Sequence, residues 1–152
     1  MDSKKIKIAI GSDHAGYPLK QPLYELLLEE GYNIKDFGTY SLDSVDYPDI
    51  AKEVSTQIVD GNYDLGILIC GTGIGVSITA NKIKGIRAGA CSDTFSAKMA
   101  RAHNNANIIA FGSRVVGLGL AYEIAEAFLN TEFESGSRHE KRVNKINALD
   151  SC

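Results

Sequence analysis

A thiol, a hydroxyl and three glycines fall within six residues at Cys70-Gly71-Thr72-Gly73-Ile74-Gly75. The run follows Leu65-Gly66-Ile67-Leu68-Ile69, which reads as a buried parallel strand, and precedes a helix-compatible segment, Val76 to Lys82. A glycine-rich turn of this kind lets backbone N–H groups approach an anion, and the helix N-terminus beyond it favours negative charge. A cysteine at such a place can act as a thiolate; it can equally be a buried thiol that ends a strand. The dinucleotide fingerprint wants a third glycine where this chain has Val76, and no Gly-Lys-Ser/Thr closes a nucleoside-triphosphate loop.

Other polar clusters punctuate the chain: Gly11-Ser12-Asp13-His14-Ala15-Gly16, Arg101-Ala102-His103-Asn104-Asn105, Phe111-Gly112-Ser113-Arg114 and Arg138-His139-Glu140-Lys141-Arg142. All three histidines lie in these segments and none in an apolar run. Asp13-His14 is either a turn or an acid–base pair. Arg138 and Arg142, spaced i, i+4, share one helix side, which suits a phosphate as well as a solvated face. The clusters are expected to converge on one edge of a sheet.

The elements that must hold them alternate. Strands are expected at Lys5–Gly11, Asn33–Phe37, Leu65–Cys70, Ile86–Cys91 and Asn107–Phe111. Helices are expected at Tyr17–Glu30, from Pro48 to near Gly61, Val76–Lys82, Thr94–Ala102 with Asp93 as N-cap, Val116–Leu129 and Glu140–Leu149. Pro18 suits a first helical turn, whereas Pro22 predicts a kink or a later start. Ile50, Val54 and Ile58 form one apolar stripe. Five strand–helix units predict a three-layer α/β/α sandwich around a five-stranded parallel sheet, Rossmann-like, with ligands outside the carboxyl ends of the strands.

The 152 residues, 44% hydrophobic and 23% charged, are enough for one domain, 1–152, with a proper core. A net charge of -3 carries no footprint of nucleic-acid binding. No apolar run reaches membrane-span length, and the short one after Lys5 is no secretory signal. Three cysteines at unrelated spacings, Cys70, Cys91 and Cys152, point to a reduced cytoplasmic protein without a metal cluster.

With these residues assembled, the chain resembles the ribose-5-phosphate isomerase B family, which includes the galactose-6-phosphate isomerase subunits. The resemblance spans nearly the whole chain. It rests on the clusters above together with Ser44-Val45-Asp46-Tyr47-Pro48, Ala80-Asn81-Lys82, Gly85-Ile86-Arg87 and His103-Asn104-Asn105-Ala106-Asn107. It implies a homodimer or a tetramer of dimers with active sites at the subunit interface. It implies that Cys70 is the base moving a proton between C1 and C2, since Val76 stands where another branch has a glutamate. Thr72 and the amides of Gly71, Gly73 and Gly75 would form the oxyanion hole. His103, from the partner subunit, and Asp13 would open the sugar ring, and Asn104 would touch a hydroxyl or the enediolate. His14, Arg114, Arg138 and Arg142 would clamp the phosphate. The family usually has Gly-Gly before the arginine–histidine pair; here Ser135-Gly136-Ser137 is one residue longer.

That chemistry suits the residues. Aldose–ketose interconversion needs a base beside a carbon acid and donors around the developing enediolate, and neither a redox cofactor nor a metal. The implied substrate is a phosphorylated sugar: ribose 5-phosphate and ribulose 5-phosphate first, in the pentose phosphate pathway, with allose or galactose 6-phosphate as the alternative. A non-catalytic phosphosugar-binding module would need the arginines and the glycine loop, but not Cys70, Asp13 and His103 together.

Overall fold

A computed structural model describes residues 2–151. The chain runs β1 (Lys7–Ser12), α1 (Tyr17–Glu29), β2 (Asn33–Asp36), α2 (Tyr47–Val59), β3 (Leu65–Cys70), α3 (Ile74–Asn81), β4 (Ala88–Ala90), α4 (Thr94–Ala102), β5 (Ile108–Gly112), α5 (Leu118–Leu129) and α6 (Arg138–Ala148). All strand pairs are parallel, in the order β2-β1-β3-β5-β4. The order reverses between β1 and β3, and a crevice opens outside the carboxyl ends of two strands at such a point.

The central strands β1, β3 and β5 are buried on both faces, so alternate side chains feed separate cores. Ile8, Ile10, Ile67, Ile69 and Phe111 pack with α1, α4 and α5, including Leu23, Ala97 and Phe128. Ala9, Leu68, Cys70, Ile108 and Ala110 pack with α2 and α3, where Val54 and Ile58 of the expected stripe are buried. The three layers predicted from the alternation are therefore present. Phe111 and Phe128 are essentially inaccessible, and a fully buried side chain of this size contributes about 1.5–3 kcal/mol.

Several boundaries differ from the expected ones, each for a local reason. Residues Ser3–Lys5 form a 3-10 turn capped by the Asp2 side chain, so β1 starts at Lys7. Helix α1 passes through Pro22 and begins at Tyr17, with Pro18 in its first turn. Helix α3 starts at Ile74, two residues early, because Gly73 takes a left-handed φ of 82° as its N-cap. Strand β4 is a three-residue edge strand paired only with β5. Helix α5 starts at Leu118, after Gly117. Helix α6 starts at Arg138 rather than Glu140: Gly136 turns at φ 77°, and the Ser137 side chain then caps by accepting from the His139 N–H. The longer Ser135-Gly136-Ser137 segment thus ends as a helix cap. Asp93 caps α4 as expected, accepting from Ser96 N–H at 2.6 Å. Cys152 lies outside the described residues.

A fully buried lysine of α1 ties that helix to the end of β2 and the loop after it. Lys20 Nζ donates to both Asp36 carboxylate oxygens and to the Thr39 carbonyl, each at 2.6 Å. Burial pushes its pKa below the ordinary lysine value, and Asp36 pulls it back up. The loop rooted there is stitched to β1 by Ser12 N–H to Gly38 O and Thr39 N–H to Ser12 O.

Candidate active site

The carboxyl ends of β1, β3 and β5 meet around a cleft of about 540 Å³ lined by Asp13, His14, Tyr47, Cys70, Thr72 and Arg114 together with neighbouring glycines and isoleucines. Cys70 ends β3 and is 5% exposed. Its sulfur accepts the Gly73 N–H at 3.1 Å. That contact depends on a close turn: a Cβ on Gly73 would lie 2.6 Å from the Phe111 Cα, and one on Gly112 would lie 2.5 Å from the Gly71 carbonyl oxygen. Thr72 accepts the Ile74 N–H through Oγ1 at 3.2 Å, which leaves its hydroxyl hydrogen for another acceptor.

Asp13 is buried and accepts the Gly16 N–H at 2.9 Å, so it both turns the chain and faces the cleft. The loop beyond Lys20–Asp36 reaches over far enough for Val45 N–H to donate to His14 Nδ1 at 3.2 Å. That bond places the neutral ring's hydrogen on Nε2, where it can be donated to an anion. The Arg114 backbone N–H donates to the Gly71 carbonyl at 3.1 Å, and its guanidinium lies along the glycine turn. Tyr47 flanks Gly75 so closely that a Cβ there would sit 2.8 Å from its ring.

The other expected residues are elsewhere, which corrects the expectation of one shared edge. Helix α4 carries the chain back from the carboxyl end of β4 to the amino end of β5. His103 therefore caps α4 at the opposite edge, with Asn104 exposed beside it. The start of α6 joins them there. His103, Glu134, Ser137, Arg138 and His139 line a second, open depression of about 520 Å³. Arg142, one turn after Arg138, is exposed. One chain thus holds two separate constellations.

The second constellation has its own geometry. The His103 and His139 rings stack at 3.9 Å, 9° apart. Glu134 stands across both, 3.8 Å from His103 Nε2 and 3.7 Å from His139 Nε2, and its N–H is anchored on the Ala102 carbonyl. Burial pushes His139 below the ordinary histidine pKa, and the His103, Arg138 and Arg142 charges push the same way against Glu134. Among the described residues these three side chains are the group that could hold a metal ion, with ligand atoms within 4.8 Å of one another, although no histidine pair had metal-like spacing in the sequence. Both Nε2 atoms face the one Glu134 carboxylate, at separations longer than a hydrogen bond.

Sequence reading missed Tyr47, Glu134 and His139 as site components. Tyr47 sat inside a quoted motif and His139 inside a quoted cluster, whereas nothing in the local sequence pairs Glu134 with His103. Cys91, the other described thiol, is buried, and burial, with help from Asp93, pushes it up to about 11.

The Ribose/Galactose Isomerase family model matches residues 8–146. The chain is 49% identical to ribose-5-phosphate isomerase B of Escherichia coli over 95% of its own length and 96% of that protein's. It is 47% identical to D-erythrulose-4-phosphate isomerase of Pectobacterium atrosepticum, over 93% of each. The solved structure of Clostridium thermocellum ribose-5-phosphate isomerase B superposes with a TM-score of 0.93 at 50% identity, covering 96% of this chain and 98% of that one.

Proposed function

The chain belongs to the Ribose/Galactose Isomerase family, and from that premise we propose that it interconverts ribose 5-phosphate and ribulose 5-phosphate. The observation that carries this reading is the Cys70 sulfur, held by an N–H at the floor of a cleft whose walls bear His14 and Arg114. The cavity is of small-metabolite size. His14 Nε2–H and Arg114 bind the phosphate from this chain. That fixes the sugar carbons over Cys70, and holding reactants in place removes much of an entropic barrier.

Asp13 takes the proton from the anomeric hydroxyl as His103 gives one to the ring oxygen, opening the ring. The Cys70 thiolate then removes the C2 proton of the aldose. Negative charge moves onto the carbonyl oxygen, where Thr72 and the turn amides that remain after Gly73 and Ile74 are engaged receive it. Return of the proton to C1, with proton exchange between the two oxygens, gives the ketose and regenerates the thiolate. A reducing cytoplasmic setting suits such a thiol.

The reading requires a homodimer, alone or within a tetramer. His103, Asn104, Arg138 and Arg142 lie at the far edge of their own sheet, so a second copy supplies them. Ile74 and Ile78 at the cleft, with Phe95 and Val115, are each more than half exposed and offer apolar surface for that contact. No described helix is long and apolar enough to cross a membrane.

The test is a substrate panel on purified protein: ribose 5-phosphate, erythrulose 4-phosphate, allose 6-phosphate and galactose 6-phosphate. The highest kcat/KM is expected on ribose 5-phosphate. A clear preference for another member moves the assignment to that sugar, and no turnover of any of them removes the isomerase reading.

A further inference from the structure

A third cavity, of about 440 Å³, opens between the amino ends of β1, β3, β4 and β5, away from the Cys70 cleft. Three cationic side chains line it: Lys5, Arg87 and Arg101. Its acidic lining residue, Asp64, is committed to the Lys7 N–H at 2.8 Å. Arg87 Nη1 also donates to Asn147 Oδ1 at 3.0 Å and Arg101 Nη1 to the Ala106 carbonyl at 2.8 Å, both neutral acceptors.

The two guanidinium groups are drawn together by one residue. Asn105 accepts from Arg87 Nε through its carbonyl at 2.8 Å and from Arg101 Nη1 through its side chain at 3.0 Å. Asn105 does this at a left-handed φ of 45°, the one positive φ of a described non-glycine residue. Arg101 Nε is buried without a hydrogen-bond partner. Burial pushes both arginines below the ordinary value, and Arg87 pushes Arg101 further; Asp150 and Glu132 oppose this with smaller effect. Like charges drawn together, partly out of water and above a backbone held in an uncommon conformation, cost free energy that a bound anion would offset.

We propose that this cavity binds the phosphate group of a small organic phosphate, at a site separate from the catalytic cleft. Arginine forks match a tetrahedral oxyanion in two-point contacts, Lys5 adds a third charge, and Ile6, Ile58 and Leu65 wall the space left for the organic part. The proposal stands on these residues alone and does not depend on the isomerase reading.

Inorganic phosphate, titrated into isotope-labelled protein and followed through the Arg87 and Arg101 Nε–H and Asn105 amide resonances, tests it site by site. The titration is run in wild type and in the Arg138→Ala/Arg142→Ala double variant, which weakens the proposed active-site clamp. A saturable shift is expected in both proteins, and Lys5→Glu, an exposed position that leaves the fold intact, is expected to weaken it about tenfold, as losing one charge-assisted contact does. Arg87→Met is expected to abolish it. The proposal is overturned if the resonances do not move, if the shift disappears with Arg138 and Arg142, if Lys5→Glu leaves the affinity unchanged, or if acetate binds as tightly as phosphate.

Discussion

The Gly73 N–H donates to the Cys70 sulfur from 3.1 Å, across a turn that ends one strand and begins one helix. The pairing joins backbone shape to chemistry. Gly73 takes a left-handed φ of 82° at a point where any Cβ would meet the Phe111 backbone, and there its N–H reaches the sulfur.

Replacing Cys70 by serine is therefore expected to leave the fold unchanged and to reduce turnover by ~10²–10⁴-fold, the usual worth of a general base. Loss of solvent-hydrogen exchange at C2 should accompany it. Turnover of ribose 5-phosphate within a few-fold of wild type would move the base to Asp13.

Cys70→Ser and His103→Ala chains, each inactive alone, are expected to complement when refolded together. Random pairing makes half the dimers mixed, each with one intact site, so about a quarter of wild-type activity should return. If none returns, the site is not shared between copies.

Arg142→Ala is expected to raise KM for the phosphorylated sugar about tenfold or more, as removal of a charge-assisted contact of roughly 1.5–3 kcal/mol does. An unphosphorylated sugar should show no such change. Equal losses on both would show that Arg142 does not meet the phosphate.

Gly73→Ala and Gly31→Ala separate strain from collision. Both glycines are left-handed, but a Cβ on Gly31 meets nothing within 4 Å, whereas one on Gly73 meets Phe111. Urea unfolding should show about 1–2 kcal/mol lost at Gly31, the cost of a left-handed side-chain residue, and a larger loss at Gly73. Equal losses would mean that the Phe111 backbone yields freely.

The pH dependence of stability should carry the mark of His139. Its folded pKa lies below the ordinary 6.5, so between the two values the unfolded chain binds the extra proton. Stability then falls as pH drops through the ordinary value toward the lowered one, and is unaffected well above it. Denaturant midpoints at about pH 7.5 and about pH 5.5 should differ less in His139→Gln than in wild type. An unchanged difference would assign the acid loss to other groups.

Much of the arrangement was legible before any coordinates. Leu65–Cys70 was bounded correctly because an uninterrupted apolar run followed by glycine has few alternatives as a buried strand. The residues of the Cys70 cleft were found because strand ends are a place to look. What misled was direction: His103 and Asn104 follow a helix, and a helix in a parallel fold returns the chain to the opposite edge. Spacing along α4 contains that information, but only after the strand order is known. Glu134 was invisible because its meeting with His103 joins two loops far apart in sequence. The early start of α3 turned on one left-handed glycine packed against the Phe111 backbone, from another strand.

Buried Lys20 has a practical consequence. An acylating reagent modifies surface amines in the folded molecule but reaches this one only when α1 lifts from Asp36 and Thr39. The modification rate at Lys20, compared with that at an exposed lysine of the same chain, is then a built-in clock for how often this half of the molecule opens.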